Sequence, residues 1–454
     1  MQTKPEVFKA YDLRGIYKQE FDEDLAYRLG LAFVKMRVEE LGTMDMKLVV
    51  ASDARLSSPS LKDALVRGIT DGGATVIDIG LAATPTFYFA VAHYGYQGGI
   101  QVSASHNPKE YNGFKLVREK AKPIGQNTGL DWLKEEVLNG QLNVAARPGR
   151  IEVKEGVVGD QVAHDLTFAD VSKIKPLKIV IDTANGMGAL YFEELFKHLP
   201  CQVIKMNWEL DGNFPAHEAD PFKAENVADL CKRVVAEKAD LGITTDGDAD
   251  RIFFVSETGQ AIEAGVARAI LCKLFLLEKP GAAIGYDIRP GKITPETIVA
   301  NGGKPVPTKV GHALIKAQMI TENIYFAGES SGHFYLNMPD GCYEVPVIVA
   351  LKMLQAVSES GQVFSEYLKP YQKYFSSGEI NTKVADPQAK VKEIRRVYIN
   401  GRQNELDGIS VEFDDYWFNV RASNTEPLLR LNLEATSQAV MEQKRDEIIA
   451  LIKA

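Results

Sequence analysis

A unit that recurs three times constrains this 454-residue chain more than any other feature. Each copy opens with an apolar run that reads as a strand and stops at an aspartate: residues 48–53, 177–182 and 282–287, ending at Asp53, Asp182 and Asp287. Short β-rich runs alternating with helical patterns indicate parallel α/β layers, because parallel neighbours need a long crossover that a helix supplies. A second strand follows in the first two copies, at 74–80 and 202–206. Later in each copy an apolar run delivers a polar loop: 99–102 leads to 103–108, 241–243 to 246–251, and 324–326 to 328–333. Open α/β sheets bind ligands beyond the carboxyl ends of their strands, so chemistry is expected at these three loops.

The final 80 or so residues change character. Val411 and Phe413, then Leu429, Leu431 and Leu433, alternate with polar neighbours, and a closing helix from about Ser437 carries Val440, Lys444, Ile448 and Leu451 at helical spacing. Polar, turn-rich passages at 138–150 and 256–259, and the region around Pro370, read as boundaries. The expected fold class is therefore α/β: three similar α/β domains with mixed sheets (1–150, 151–257, 258–370) and a smaller C-terminal α+β domain (371–454), around a central cleft.

With 52 basic and 61 acidic residues the net charge is −9, which argues against general binding to nucleic acid or to an anionic membrane. The N-terminal stretch has no basic segment followed by an apolar core, and no uncharged apolar run approaches the length of a membrane span, so a cytoplasmic protein is expected. Cys201, Cys231, Cys272 and Cys342 are scattered without metal-ligand spacing and read as reduced core thiols.

Asp246-Gly247-Asp248-Ala249-Asp250-Arg251 sets three carboxylates at alternate positions directly after an apolar run. Such charges repel strongly at low dielectric, so they either hold protons or surround a divalent cation, and an all-oxygen donor set points to Mg²⁺ or Ca²⁺ over zinc. A solvated acidic turn is the plain alternative. An EF-hand loop is the sharper one, with Glu257 in its twelfth place, but Arg251 stands where that turn needs glycine and 242–245 reads as strand.

Ser103-Ala104-Ser105-His106-Asn107-Pro108 places a serine beside a histidine. With no Gly-x-Ser-x-Gly elbow, a hydrolase triad is poorly supported, and a serine-rich turn capping a helix is the structural alternative. Lys115 lies ten residues beyond Ser105, where a cation could stabilise charge or shuttle a proton. Together the two loops suggest metal-assisted phosphoryl transfer. Three aspartates and a phosphoserine carry roughly −5, so Arg251, Lys115 and Arg14 are the candidates to balance what one Mg²⁺ leaves.

These loops, with three further segments, resemble the α-D-phosphohexomutases along the whole chain. Residues 8–15 are similar to the family's N-terminal signature, with Tyr11 and Arg14 approaching the active site. Residues 103–108 resemble its phosphoserine loop, which makes Ser105 the catalytic phosphoserine. Asp246, Asp248 and Asp250 match the metal loop, completed by Ser105, with Arg251 beside it. Residues 328–333 resemble the sugar loop, where Glu329 and Ser331 would hold ring hydroxyls, and 421–427 resemble the phosphate loop, represented by Arg421, Ser423, Asn424 and Thr425. His312 and Arg289 match family positions near the substrate.

The resemblance implies transfer of a phosphoryl group between O1 and O6 of an aldohexose, through a phosphoserine enzyme and a 1,6-bisphosphate. It implies Mg²⁺, one per site, glucose 1,6-bisphosphate or an equivalent as activator, Lys115 for acid/base help, and a monomer or homodimer. The metal and phosphate loops look more like the mannose- and glucose-acting branches than the glucosamine-specific one. Ser330 departs from both, and epimers that differ at one hydroxyl are separated by only a few kcal/mol. A Mg²⁺-dependent sugar phosphatase and a calcium-binding module are the non-mutase alternatives.

Overall fold

The computed structural model describes residues 3–422 and 428–454. They pack as two units, one of residues 1–262 with 332–365 and the other of 263–331 with 366–454.

The first unit begins with β1 (Leu13–Ile16), α1 (Glu23–Leu41), β2 (Lys47–Ser52), α2 (Ser58–Asp71), β3 (Thr75–Leu81), α3 (Thr84–His93), β4 (Gly98–Val102), β5 (Tyr111–Arg118), α4 (Leu130–Asn139) and β6 (Ile151–Val153). Its sheet runs β1-β5-β4-β2-β3-β6, parallel at β4-β2-β3-β6 and antiparallel around β5. Strand β2 is buried at nearly every position, as a strand covered on both faces must be. Helices α1 and α2 cover one face and meet at a glycine notch, where a Cβ on Gly68 would lie 2.1 Å from the Tyr27 carbonyl oxygen. Strand β6 was expected beyond the first domain, yet it pairs parallel to β3. Only three residues long and half exposed, it carries too little apolar pattern to be read as part of that sheet.

The second sheet follows: α5 (Val157–Leu166), β7 (Lys178–Asp182), α6 (Gly188–Leu195), β8 (Gln202–Met206), α7 (Ala224–Glu237), β9 (Leu241–Thr245) and β10 (Ile252–Ser256). Its order is β10-β9-β7-β8, with β10 antiparallel.

In the second unit, α8 (Ala264–Glu278), β11 (Ala283–Asp287), α9 (Ile293–Ala300), β12 (Lys304–Thr308), α10 (His312–Thr321) and β13 (Phe326–Gly328) form the third repeat, with β12-β11-β13 parallel. Strand β12 escaped the sequence reading because Pro305 and Pro307 argue against a strand, but here it has a neighbour on one side only, where proline is tolerated. The chain returns to the first unit with the hairpin β14 (Phe334–Asn337) and β15 (Cys342–Glu344) and with α11 (Pro346–Ser360), which packs against α5, α6 and β10. After α12 (Phe364–Leu368), the C-terminal domain comprises β16 (Phe375–Lys383), α13 (Pro387–Val397), β17 (Arg402–Asn404), β18 (Ile409–Glu412), β19 (Tyr416–Ala422), β20 (Leu428–Ala435) and α14 (Gln438–Lys453). Its sheet, β16-β20-β19-β18-β17, is antiparallel throughout and buries Leu429, Leu431 and Leu433 under α13 and α14. Ser437 caps α14, its hydroxyl accepting from Val440 N.

Candidate active site

In the first unit two loops meet. Ser105 follows β4, and its amide donates to Ser103 Oγ at 3.0 Å while its φ is +51°, in the left-handed region. The loop between β9 and β10 carries the three aspartates. A Cβ on Gly247 would lie 2.6 Å from the Ser105 carbonyl oxygen, so only glycine lets the two loops approach this closely. Ser105 Oγ then donates to Asp246 Oδ2 at 2.8 Å. The start of α3 locks the same loop, with Thr84 N donating to Asp248 O at 2.9 Å and Thr84 Oγ1 to Asp248 Oδ2 at 2.6 Å.

Asp246, Asp248 and Asp250 are all buried and can each bring one oxygen within 4.8 Å of the others. Lys115, projecting from β5, bridges Asp248 Oδ2 and Asp250 Oδ2 at 2.6 Å each. Burial opposes its charge, but the two carboxylates outweigh that and raise its pKa well above the usual lysine value. For Asp246 the balance goes the other way: burial, then repulsion from Asp250 and Asp248, outweighs the attraction of Arg251 and His333 and pushes its pKa up to about 8. Burial also disfavours the charge on Asp250, yet Lys115 and His333 hold its carboxyl well below the ordinary range. Arg251 Nε lies 3.6 Å from Asp246 Oδ2. Arg14 NH1 donates to Asn107 Oδ1 at 2.7 Å on the serine loop. Asp248 Oδ1 is buried and accepts no hydrogen bond among the described residues, which suits a site that takes a hard cation.

The second unit holds a different cluster. Asp287, at the end of β11, accepts from Arg289 Nε at 2.5 Å, from Ser330 N at 3.1 Å and from Ser330 Oγ at 2.8 Å, and pairs with the fully buried Arg268. Arg289 NH2 donates to Glu329 Oε1 at 3.2 Å. Glu379, on β16, receives Arg421 NH2 at 3.2 Å and Arg430 NH1 at 3.1 Å, with Arg289 NH1 at 3.8 Å. Burial raises the cost of charging Glu379, but these three guanidinium groups prevail and lower its pKa.

Four family models match in order: the phosphoglucomutase/phosphomannomutase α/β/α domain I at residues 5–143, domain II at 160–259, domain III at 265–374 and the C-terminal domain at 379–451. The chain belongs to the phosphoglucomutase/phosphomannomutase family. Among its relatives is a phosphomannomutase of Vibrio cholerae, 38% identical over 460 residues and covering 98% of each chain. A protein of Xanthomonas campestris named for phosphohexose mutases is 39% identical over 452 residues, covering 98% of this chain and 99% of its own. A crystal structure of a phosphoglucomutase/phosphomannomutase family protein from Burkholderia thailandensis superposes with a TM-score of 0.89 at 29% identity, over 100% of this chain and 98% of that one.

The candidate residues that a phosphoglucomutase/phosphomannomutase reading singles out thus fall in two clusters: Ser105, Lys115, Arg14, Arg251 and the three aspartates in the first unit, and Arg289, Glu329 and Arg421 in the second. Tyr11 lies half-buried just before β1, His312 opens α10, and Ser331 follows Ser330. Ser423, Asn424 and Thr425 lie outside the described residues. The EF-hand reading fails on geometry. The aspartate loop joins two antiparallel strands, and Glu257 turns away to accept from Ser365 N at 2.9 Å. Sequence reasoning missed Thr84, Glu379 and His333, whose Nε2 lies 3.1 Å from Asp250 Oδ1. Only His333 had a signal, its place in the sugar loop.

Proposed function

We propose that the chain interconverts hexose 1-phosphate and hexose 6-phosphate in the cytoplasm, with mannose or glucose as the sugar, through a phosphorylated Ser105 and a hexose 1,6-bisphosphate. One observation carries the reading. The 2.8 Å hydrogen bond from Ser105 Oγ to Asp246 Oδ2 sets a serine against three buried carboxylates. Family membership and relatives named phosphomannomutase support it.

The oxygen donors fit Mg²⁺, which Asp246, Asp248, Asp250 and an oxygen on phosphorylated Ser105 would hold. When bound, it supplies an electrophile toward the phosphoryl oxygens. In the transfer the Ser105 Oγ–phosphorus bond breaks and a bond from the free sugar hydroxyl to phosphorus forms. The hydroxyl loses its proton and the serine oxygen gains one: Lys115, whose charge Asp248 and Asp250 favour, gives a proton to the leaving serine oxygen and is reprotonated by the one the hydroxyl releases. The bisphosphate turns end over end, and the reverse step at its other phosphate restores phosphoserine. Arg421, with Ser423, Asn424 and Thr425, would grip the phosphate that is not reacting, Glu329 and Ser331 would hold ring hydroxyls, and Tyr11, Arg289 and His312 would line the sugar. Arg14 and Arg251 offset charge at the serine loop. Glucose 1,6-bisphosphate would phosphorylate a resting Ser105.

The test is ³¹P NMR with Mg²⁺, catalytic glucose 1,6-bisphosphate and mannose, glucose or glucosamine 1-phosphate in separate tubes. A growing sugar 6-phosphate signal that Ser105→Ala abolishes is the expected result. Steady release of inorganic phosphate would replace the mutase by a phosphatase, and a response confined to glucosamine 1-phosphate would overturn the sugar assignment.

A further inference from the structure

We propose that Arg55 is the positioning residue for the nucleophile, fixing Ser105 through the backbone of its loop; the catalytic part of this inference rests on the phosphoserine reading above. Arg55 stands two residues beyond Asp53 at the end of β2 and is fully buried. Its NH1 donates to Pro108 O at 2.7 Å and Tyr111 O at 3.0 Å, and its NH2 to Ser105 O at 2.8 Å and Asn107 O at 2.6 Å. Four carbonyl dipoles of one short loop therefore converge on one guanidinium. Left to themselves those carbonyls repel. A planar cation with five fixed donors can collect them, whereas a lysine ammonium presents three donors from a single atom.

The anchor is itself held. Arg55 Nε donates to Asp53 Oδ2 at 3.1 Å, and Ser58 Oγ to Asp53 Oδ1 at 2.6 Å. On the outer side the ring of Phe214 covers the guanidinium, with Arg55 Cζ 5.0 Å from the ring centroid. Phe214 has φ +49°, a conformation that a bulky residue adopts only when its surroundings impose it. Nearby, a Cβ on Gly212 would come within 2.4 Å of Ala54 O, so the chain leading to Phe214 is pressed against the Arg55 turn. Two residues forced into the left-handed region, Ser105 and Phe214, thus flank one arginine. Backbone strain of this kind persists only where neighbouring contacts over-determine it. Among the described residues, none of the hydrogen bonds from Arg55 reaches Asp246, Asp248 or Asp250. Its effect is on where Ser105 Oγ points.

The experiment compares wild type, Arg55→Lys and Phe214→Leu for kcat, KM of the sugar phosphate, thermal midpoint and amide hydrogen exchange. Misplacing a reacting atom by about 1 Å costs on the order of 100-fold in rate, so Arg55→Lys is expected to lose about 100-fold in kcat with KM within about twofold. Faster exchange is expected in residues 103–112 and nowhere else. Phe214→Leu should shift the same readouts by about tenfold in kcat, and it decides the matter if Arg55→Lys does not fold. Wild-type kcat in these variants, or exchange that rises throughout the unit, would overturn the proposal. If wild type turns over no sugar phosphate, the mutase reading falls alone, and unchanged protection of 103–112 in Arg55→Lys then overturns the positioning role.

Discussion

The two buried charge clusters are mirror images in what they lack. In the first unit, the carboxylates of Asp246, Asp248 and Asp250 outnumber the fixed cations beside them, Lys115 and Arg251, with His333 as a titratable third, and the buried oxygens of the cluster without a hydrogen bond among the described residues are acceptors, Asp248 Oδ1 and Asp250 Oδ1. In the second, Asp287, Glu329 and Glu379 face Arg268, Arg289, Arg421 and Arg430, one anion short, and the buried nitrogens without partners among the described residues are donors, Arg268 NH2, Arg421 Nε and Arg430 Nε. Burying unmatched charge is costly unless a ligand completes the pairing. The sign of each shortfall therefore names the kind of ligand that each cluster suits: a hard cation for the first, an anion for the second.

The largest break in this contrast comes from the aspartates. Asp248→Asn should lower kcat by about 10³-fold, and added Mg²⁺ should no longer raise the thermal midpoint. Calorimetry with and without Mg²⁺ beside a kinetic assay checks both. Next is Arg421→Met, which should raise KM for the sugar phosphate by about 10- to 100-fold with a smaller effect on kcat, the scale of one charge-assisted hydrogen bond to phosphate. Steady-state kinetics reads the split, and an equal fall in kcat alone would contradict it.

Glu379→Gln sharpens the comparison by widening the shortfall of anions. Removing the carboxylate that Arg421 and Arg430 pair with, while Arg289 keeps Asp287 and Glu329, should destabilise the protein by about 3 kcal/mol at neutral pH, and inorganic phosphate should recover more of the loss than it adds to wild type. The pH dependence has a definite sign. Because Glu379 titrates below its ordinary 4.5, its stabilising contribution is complete above that value and disappears as pH falls through the lower folded value. The acid limb of wild type should therefore be steeper than that of Glu379→Gln in thermal melts between pH 6 and about 3. The smallest effect expected is that of Ser330→Ala, which removes one hydroxyl from Asp287 and should cost about 1 kcal/mol by denaturant titration.

What the sequence disclosed depends on how far apart the interacting residues lie. Asp246, Asp248 and Asp250 declare themselves because their spacing is local, and Ser105 and Lys115 lie near enough along one strand–loop–strand passage to be read together. Thr84 could not be found this way: its partner Asp248 is 164 residues away, and a threonine before Pro85 at a helix start looks like ordinary capping. Glu379 was hidden for the same reason, since nothing around it in β16 announces three arginines from other segments. The repeated strand–helix units gave the fold class, but β12 was masked by its prolines and β6 by its brevity. In each case sheet pairing, which no local pattern encodes, decided the outcome.

The first unit is interrupted in sequence: it lacks β14, β15 and α11 until the chain has passed through residues 263–331. On a ribosome adding roughly 5–20 residues per second, the wait from residue 262 to residue 365 lasts on the order of ten seconds. Throughout that interval the faces of α5, α6 and β10 that α11 later covers stand bare on the nascent chain. Completion of the unit that holds Ser105 and the three aspartates is thus timed by synthesis of residues 263–331, and slow translation between 263 and 365 lengthens the period in which those apolar faces stay uncovered.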